Sequence, residues 1–181
     1  MRVTYTSING LLVLQPKVFS DDRGYFFESY QMRKFAELGI TRPFVQDNQS
    51  MSTYGTIRGL HFQRGEYAQA KLVRVLSGVV YDVAVDLRPD SPTFGQWYGI
   101  ELSAENQVMF YIPRGFAHGF AALTDHSVFF YKCDNYYCPE ADGGVFYDDK
   151  ELNITWPVPL QDRIISAKDE KLPALADAKL V

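Results

Sequence analysis

The 181-residue sequence is poor in cysteine and has no run of basic residues. Its two cysteines, Cys133 and Cys138, lie five positions apart, which is not a zinc or redox spacing, so we expect neither such a centre nor a disulfide. Eighteen basic residues against 22 acidic ones give a net charge of −4, which argues against a general nucleic-acid or anionic-membrane surface. Any anionic ligand must therefore be held by a local cluster of basic side chains.

Long apolar stretches are missing as well. The longest, residues 11–14 and 128–131, are far shorter than the roughly 18 residues that cross a bilayer. The first five residues, Met-Arg-Val-Thr-Tyr, do not lead into the apolar core and small residues of a secretory signal. We therefore expect no membrane span, and a cytoplasmic location is the default.

What the chain does contain is typical of a folded domain. Hydrophobic residues make up 46% of the sequence and aromatic residues 15%, more than a disordered segment carries. The sequence shows no internal repeat, low-complexity tract or linker, and its composition does not change along the chain. This predicts a single domain over residues 1–181.

The middle of the chain has the pattern of short β-strands. Residues 71–76 and 79–86 alternate or run β-branched on either side of Ser77-Gly78, which predicts a hairpin. Turn residues separate four further predicted strands: 96–102, 107–112, 120–123 and 127–133. One helix is predicted, over residues 29–39, with Gly39 as its C-terminal stop. Many short strands at this spacing indicate an all-β sandwich or barrel.

Polar residues share strand faces with apolar ones, because a strand sends alternate residues to opposite sides. Lys71 shares a face with two valines, and Asp82 shares one with Ala84. Such mixed faces suit a lined cavity better than a dry core. Arg58 and His61 are three apart and would lie on opposite faces of a regular strand, unless a bulge in the residues between them, such as at glycine 59, re-aims one of them.

Two segments carry candidate chemistry, residues 58–63 and 112–120. They resemble degenerate versions of the two cupin motifs, in which a His-x-His pair, a Glu and a later His collect one metal ion. Here the pair is reduced to His61 and Gln63, Glu66 falls short of the usual acid position, and Lys71 would oppose a cation. We expect the metal to have been lost.

A more specific resemblance extends over nearly the whole chain. It rests on seven segments, in this order: 21–28 (DDRGYFFE), 44–50 (FVQDNQS), 58–63 (RGLHFQ), 91–95 (SPTFG), 115–119 (GFAHG), 131–137 (YKCDNYY) and 166–169 (SAKD). Together they resemble the dTDP-4-dehydrorhamnose 3,5-epimerase family. The resemblance implies a double-stranded β-helix, or cupin-like jelly roll, with short peripheral helices, which acts as a homodimer without metal or other cofactor.

The implied reaction inverts C3 and C5 of dTDP-4-dehydro-6-deoxy-D-glucose in dTDP-L-rhamnose biosynthesis. The C4 ketone acidifies the C–H bonds on both neighbouring carbons, so two opposed acid–base groups suffice. His61 is the candidate base, because histidine ordinarily titrates at about pH 6.5. By resemblance, Asp169 pairs with His61, Tyr131 is the acid on the opposite face of the ring, and Lys71 stabilises the enolate.

The resemblance also implies the residues that bind the substrate. They are Arg23, Phe26, Glu28, Gln46, Asn48, Arg58, His118, Tyr136, Asp142 and Lys168. Phe26 and Tyr136 are expected near the thymine, and Asp142 stands where the family commonly has glutamate. In the family the segment that contains Arg23 and Glu28 reaches in from the partner subunit, so dimerisation would complete the site.

Other functions remain open at this point. One alternative is an epimerase that inverts only C3 of a related 4-keto-6-deoxy nucleotide sugar. A second is a metal-dependent cupin, either an oxygenase or an isomerase, and a third is a non-catalytic module that binds a sugar nucleotide.

Several candidate residues also have plain structural interpretations. Ser166 and Asp169 have the spacing of a capping box. Tyr131 ends an aromatic stripe that would ordinarily be core, and Arg23 has the neighbours of a turn residue. Arg114 has no functional role that the sequence supports.

Overall fold

The structure is a computed structural model, and it describes residues 1–180. Within these residues the strands are β1 (Arg2–Tyr5), β2 (Leu12–Gln15), β3 (Phe19–Asp21), β4 (Gly24–Phe26), β5 (Gln46–Ser52), β6 (Thr56–Gln63), β7 (Lys71–Ser77), β8 (Val79–Asp86), β9 (Trp97–Ser103), β10 (Met109–Ile112), β11 (Phe116–Ala122), β12 (Ser127–Cys133), β13 (Asp142–Gly144) and β14 (Ile164–Ile165). The helix α1 spans Met32–Ala36, and single 3-10 turns occur at Gly65–Tyr67, Pro139–Ala141, Leu160–Asp162, Asp169–Lys171 and Leu175–Asp177.

Two facing sheets form the body of the molecule. The first sheet has the order β1-β2-β10-β7-β12-β5, and the second has the order β13-β6-β11-β8-β9. Their strands pair antiparallel, while the short β14 adds to β6 in parallel and β3 pairs with β4 in a separate hairpin. The all-β prediction is confirmed, and the architecture is the cupin-like jelly roll with short peripheral helices.

Apolar side chains fill three layers. The layer between the sheets combines Val73 and Phe129 of the first sheet with Val80 and Phe116 of the second. The outer face of the second sheet is covered by the segment after β13, which contributes Trp156 among others. The outer face of the first sheet is covered by α1 and its flanking loops. Because apolar side chains are buried on both faces of each sheet, the shape of the sheets is held by burial of apolar area as well as by strand pairing.

The predicted hairpin at Ser77-Gly78 is wrong. Strand β7 pairs with β10 and β12 in the first sheet, whereas β8 pairs with β9 and β11 in the second. The chain therefore passes from one sheet to the other at Gly78, whose φ is +76°. A tight turn predicts pairing only when the flanking strands have free edges facing each other, and here other strands occupy both edges of each.

Two boundaries also differ from the sequence predictions. The helix is five residues long, because the Gln31 side chain accepts a hydrogen bond from the Lys34 N–H and caps it late. Gly39, with φ at +85°, ends the turn that follows the helix, as expected. Strand β11 begins at Phe116, and not at residue 120 as predicted. It is buried along its whole length, so its sequence lacks the alternation of polar and apolar residues from which its start could be predicted.

No helix among residues 1–180 is both long and apolar enough to cross a membrane.

Candidate active site

A cavity of about 450 Å³ lies between the two sheets. Its lining comes from β5, β7 and β12 of the first sheet, from β6 and β11 of the second, and from the segment that leads into the 3-10 turn at Asp169–Lys171. The lining residues are Asn48, Gln49, Ser50, Arg58, His61, Lys71, His118, Gly119, Phe120, Phe129, Tyr131, Ser166, Lys168 and Asp169. All four predicted catalytic residues and four of the ten predicted binding residues are among them.

A bulge in β6 brings Arg58 and His61 to the same cavity. His61 pairs with His118 on β11, but Arg58 pairs with Phe120, so three steps along β6 face two along β11. Gly59 makes this possible: its φ is +125°, and a Cβ there would lie 2.6 Å from the Cα of Gly119. The bulge predicted from the sequence is therefore confirmed.

His61 and Asp169 form a hydrogen-bonded pair. The His61 Nε2 lies 3.1 Å from the Asp169 Oδ1, and Asp169 is only 4% exposed. The other carboxylate oxygen accepts the Gly59 N–H at 3.1 Å. Burial raises the pKa of Asp169, but the hydrogen bonds from His61 and Gly59 outweigh it and lower that pKa overall. The carboxylate is therefore ionised and orients the imidazole.

The capping-box interpretation of Asp169 is partly right. Its N–H donates to the Ser166 Oγ at 3.1 Å, as a capping box requires. Its carboxylate turns instead to His61 and Gly59, so this residue both begins the 3-10 turn and contacts the imidazole.

The contact with Asp169 also sets which nitrogen of His61 is free. If the Nε2 carries the proton that is shared with the carboxylate, the Nδ1 keeps its lone pair. The Nδ1 is buried and has no hydrogen-bond partner within the described chain. A buried acceptor without a partner is costly, so this lone pair is the candidate proton acceptor of the ring.

Tyr131 faces His61 from the other sheet. It lies on β12, between Asn48 of β5 and Val73 of β7. Burial raises the pKa of the Tyr131 hydroxyl to about 12, and the nearby Cys133 adds to the effect while Arg58 opposes it. The phenol therefore keeps its proton at neutral pH and can act as a proton donor.

Lys71 lies beside Tyr131, with its Nζ 5.8 Å from the centre of the tyrosine ring. Burial lowers the pKa of Lys71, while Cys133, Asp82 and Asp142 act in the opposite direction. An ammonium group in such a water-poor cavity stabilises negative charge that develops on a bound oxygen more strongly than it would in bulk water.

A second buried pair, His118 with Asp82, lies next to the first. Their Nε2 and Oδ2 atoms are 2.8 Å apart, and Asp82 is fully buried. Burial lowers the pKa of His118, and the adjacent carboxylate opposes that shift. Asp82 was not among the predicted site residues, although its place on a strand face shared with Ala84 indicated a lined cavity.

Arg58 and Lys168 bring positive charge to the mouth of the cavity. The Arg58 Nε donates to the Ser52 Oγ at 3.1 Å, which holds the guanidinium along β5. The Lys168 Nζ lies 2.5 Å from the Asp142 Oδ2, and this contact raises the pKa of the lysine. Asp142 itself lies at the rim, outside the lining. The chain has a net negative charge, so an anionic ligand needs a local cluster of basic side chains. Arg58 and Lys168 form such a cluster.

Two further predicted binding residues lie close to the cavity without lining it. Gln46 is on the same β5 face as Asn48 and donates to the Asn48 Oδ1 at 3.2 Å, and its Oε1 accepts the Tyr137 N–H. Tyr136 precedes that anchored residue, and its ring is 66% exposed.

The three predicted binding residues of the N-terminal hairpin are not brought to this cavity. Arg23 and Phe26 lie on the β3–β4 hairpin and Glu28 just after it. Arg23 pairs with Asp21, Glu28 pairs with Lys34, and Phe26 is 70% exposed. Within residues 1–180 of a single chain, Arg23 therefore contacts only the turn in which it lies, as the structural interpretation of this residue predicted.

Arg114 and the cysteines have structural roles. The Arg114 Nε pairs with the Asp134 Oδ2 at 2.9 Å, and Asp134 in turn accepts the Ala70 N–H. Neither Cys133 nor Cys138 is part of a disulfide in the described residues. In that same part of the chain, no cluster of three His, Cys, Asp or Glu side chains is arranged to hold a metal ion.

The arrangement of groups suits proton transfer across a small molecule. An imidazole that is oriented by a carboxylate projects from one sheet, and a protonated phenol projects from the sheet that faces it. An ammonium group stands beside the phenol. Such a site can remove a proton from one face of a carbon, stabilise the anion and return a proton to the other face.

The model of the dTDP-4-dehydrorhamnose 3,5-epimerase family matches residues 5–177. Over 181 residues the chain is 52% identical to the dTDP-4-dehydrorhamnose 3,5-epimerase of Salmonella typhimurium, and the match covers 99% of this chain and 98% of that protein.

Solved structures agree with this match. The crystal structure of the dTDP-4-dehydrorhamnose 3,5-epimerase from Elizabethkingia anophelis superposes with a TM-score of 0.96 at 53% identity, covering 100% of this chain and 99% of that one. A 3,5-epimerase from Legionella pneumophila, crystallised with dTDP-4-keto-L-rhamnose, gives a TM-score of 0.93 at 48% identity and covers 97% of this chain and 93% of that one.

Proposed function

The chain belongs to the dTDP-4-dehydrorhamnose 3,5-epimerase family, and we propose that its cavity inverts two carbons of one sugar by proton transfer between His61 and Tyr131. It is an isomerase that converts dTDP-4-dehydro-6-deoxy-D-glucose to dTDP-4-dehydro-L-rhamnose, in dTDP-L-rhamnose biosynthesis. Relatives at about half identity are 3,5-epimerases, which favours the double inversion over the C3-only alternative.

The observation that carries the mechanism is the placement of the two groups on facing sheets. His61 takes the proton from C3 or C5, and the electron pair of the broken C–H bond delocalises onto the C4 oxygen. Tyr131 then returns a proton to the same carbon from the opposite face, and the C4 ketone reforms. Before the second carbon reacts, His61 releases its proton to solvent and Tyr131 takes a proton back from solvent. The same two steps then invert the second carbon, so protons and electrons balance without any oxidant or reductant.

The free Nδ1 of His61 is the proposed basic atom. The Nε2 is held by Asp169, which stabilises the imidazolium as it forms. Support for Tyr131 as the acid comes from the raised pKa of its hydroxyl, which keeps the group protonated between turnovers. Lys71 is proposed to balance the charge on the C4 oxygen.

The nucleotide end of the substrate is proposed to lie at the cavity mouth. Arg58 and Lys168 supply charge for the diphosphate, and the exposed ring of Tyr136 is available to stack on thymine. His118 and Asn48 are the remaining proposed contacts in the lining, with Gln46 and Asp142 at its edge.

We further propose a homodimer in which the β3–β4 hairpin of one subunit completes the site of its partner. Support comes from its exposed aromatic side chains, Phe19, Tyr25 and Phe26, which are unusually apolar for a solvated surface. Arg23 would then reach the partner's diphosphate, and Phe26 its thymine. The single domain and the cytoplasmic location predicted from the sequence stay predictions.

The direct test is a coupled assay on dTDP-4-dehydro-6-deoxy-D-glucose, with a stereospecific reductase and NADPH loss as the readout. In D2O, we expect deuterium at both C3 and C5 of the product. Deuterium at C3 alone would show a C3 epimerase. A binding module would give no NADPH loss, and loss of the rate after exhaustive chelation, with recovery on adding a divalent metal, would show a metal-dependent cupin.

A further inference from the structure

Gln63 follows His61 by two positions on β6 but lies outside the cavity lining. Its side chain is only 5% exposed, and both ends of its amide are occupied. The Nε2 donates to the Asp142 Oδ1 at 3.2 Å, and the Oε1 accepts the Cys138 N–H at 2.8 Å. Because donor and acceptor are both used, the orientation of this buried amide is fixed.

The donor end of Gln63 acts on the rim of the cavity. Asp142 uses its second oxygen, the Oδ2, to hold the Lys168 ammonium. A continuous chain of contacts therefore runs from Gln63 through Asp142 to Lys168. Lys168 also precedes Asp169 in the chain. Asp169 contacts His61, which lies on the same strand, β6, as Gln63.

The acceptor end of Gln63 acts on the segment that carries Tyr136. Two glutamines accept from successive backbone N–H groups of this segment: Gln46 from Tyr137 at 3.0 Å and Gln63 from Cys138 at 2.8 Å. Tyr136 is 66% exposed, and its own N–H donates to the Asn135 Oδ1 at 2.9 Å, so backbone contacts on this segment set the position of its ring.

We propose that Gln63 is a positioning residue that joins the nucleotide-binding end of the site to the strand that carries His61. It acts on the ligand through Lys168 and Tyr136 and does not touch the reacting carbons. The inference rests on the proposed function, since it takes the nucleotide to lie at the cavity mouth. It predicts that the loss of Gln63 weakens binding and spares the chemical step.

The first test replaces Gln63 by methionine, which keeps the length of the side chain and removes both hydrogen bonds. We expect the Kd for dTDP, measured by calorimetry, and the KM for the sugar nucleotide to rise about tenfold, with kcat within about threefold of wild type. Gln15→Met is the matched control, because Gln15 is half-buried on β2, outside the lining, and donates to one backbone carbonyl. It should leave all three constants unchanged.

The second test exchanges the amide and the acid. Gln63→Glu keeps an acceptor for the Cys138 N–H but places a carboxylate against Asp142, and we expect weaker dTDP binding. Adding Asp142→Asn restores the hydrogen bond in the reverse direction, because the new amide at position 142 donates to the new carboxylate at position 63. The double variant should therefore bind dTDP more tightly than Gln63→Glu alone. Asp142→Asn by itself completes the cycle. This test also serves if the methionine variant does not fold.

The outcomes separate this inference from the proposed function. An unchanged Kd for dTDP in Gln63→Met, a loss confined to kcat, or a double variant no better than Gln63→Glu would each overturn the positioning role. A wild-type protein that binds dTDP but never consumes NADPH in the coupled assay would overturn the proposed function, while the binding measurements would still test Gln63.

Discussion

At the scale of single residues, the two oxygens of Asp169 have different partners. One faces the His61 Nε2, and the other accepts the N–H of Gly59 at the bulge. The carboxylate is thereby fixed in rotation as well as in position. Both the His61 Nε2–H and the Gly59 N–H need an acceptor, and the ionised carboxylate of Asp169 offers one oxygen to each.

This geometry predicts a large effect for Asp169→Asn. The Gly59 N–H requires the amide oxygen of the new residue, so its NH2 group must face His61. A donor there favours the tautomer that is protonated at the Nδ1, and the base loses its lone pair. We expect kcat to fall about 10²–10⁴-fold. The coupled assay measures this loss, and an unchanged Kd for dTDP is the control. Activity within about threefold of wild type would contradict the role of the pair.

Tyr131→Phe separates removal of the proton from its return. His61 can still take a proton from the substrate and give one back on the same face, so solvent deuterium should enter the sugar without inversion. We expect net epimerisation to fall about 10²-fold or more. Mass spectrometry of the recovered substrate detects the exchange, and the coupled assay detects the inversion. Inversion at the wild-type rate would remove Tyr131 as the acid.

At the scale of elements, the turn between β8 and β9 depends on one buried carboxylate. Asp86 accepts hydrogen bonds from the side chains of Arg88, Ser91 and Thr93. Burial alone raises the pKa of Asp86, but these bonds outweigh it and lower the pKa from 3.8 to about 2. The segment that links the two strands is therefore organised around this charge.

Asp86→Asn should consequently destabilise the protein in a way that depends on pH. Since the folded pKa lies below the unfolded one, the charge contributes about 2 kcal/mol of stability above pH 4. This contribution is lost as the pH falls through about 4 to 2. Urea unfolding at pH 7 and at successive pH values down to 2.5 should show the two proteins converging.

The matched control for this prediction is Asp90→Asn. Asp90 is exposed in the same turn, and its replacement should change the free energy of unfolding by less than about 0.5 kcal/mol. A constant difference between wild type and Asp86→Asn at every pH would refute the linkage.

At the scale of the whole molecule, the β3–β4 hairpin stands apart from the two large sheets. Phe26 is 70% exposed there, and within residues 1–180 Arg23 has only Asp21 as an ionic partner. Neither side chain lines the cavity that residues 1–180 of its own chain form. The proposed exchange of hairpins between two subunits would give both residues a function and cover the aromatic surface.

Mixing two inactive variants tests this exchange. Arg23→Ala would lack the guanidinium that the hairpin offers to the partner, and His61→Ala would lack the base, so each homodimer should have little activity. A heterodimer would combine the intact hairpin of one subunit with the intact cavity of the other, and we expect activity to return after the variants are unfolded and refolded together. The same variants refolded separately and then assayed together are the control. If co-refolding restored no activity although heterodimers formed, Arg23 would not act across the interface.

The sequence by itself determined the fold class, the strands β7 to β12 in the middle of the chain and the four candidate catalytic residues. Alternation and turn residues report local backbone preferences, and these decide where a strand such as β12 lies. The seven segments identified the family because they occur together and in one order along the chain, and each contains a polar or aromatic side chain that could serve the site. Even the bulge at Gly59 was predictable, because Arg58 and His61 have the wrong spacing for a shared face of a regular strand.

Only the tertiary structure decided which strands pair and which polar groups meet. β7 and β8 are neighbours in the chain but lie in different sheets, since pairing depends on the edges that other strands leave free. Asp82 and Gln63 acquire their roles from partners 36 and 79 positions away. The choice of nitrogen on His61 likewise depends on a carboxylate more than 100 residues further along the chain, because hydrogen bonds are set by distance in space and not by order in sequence.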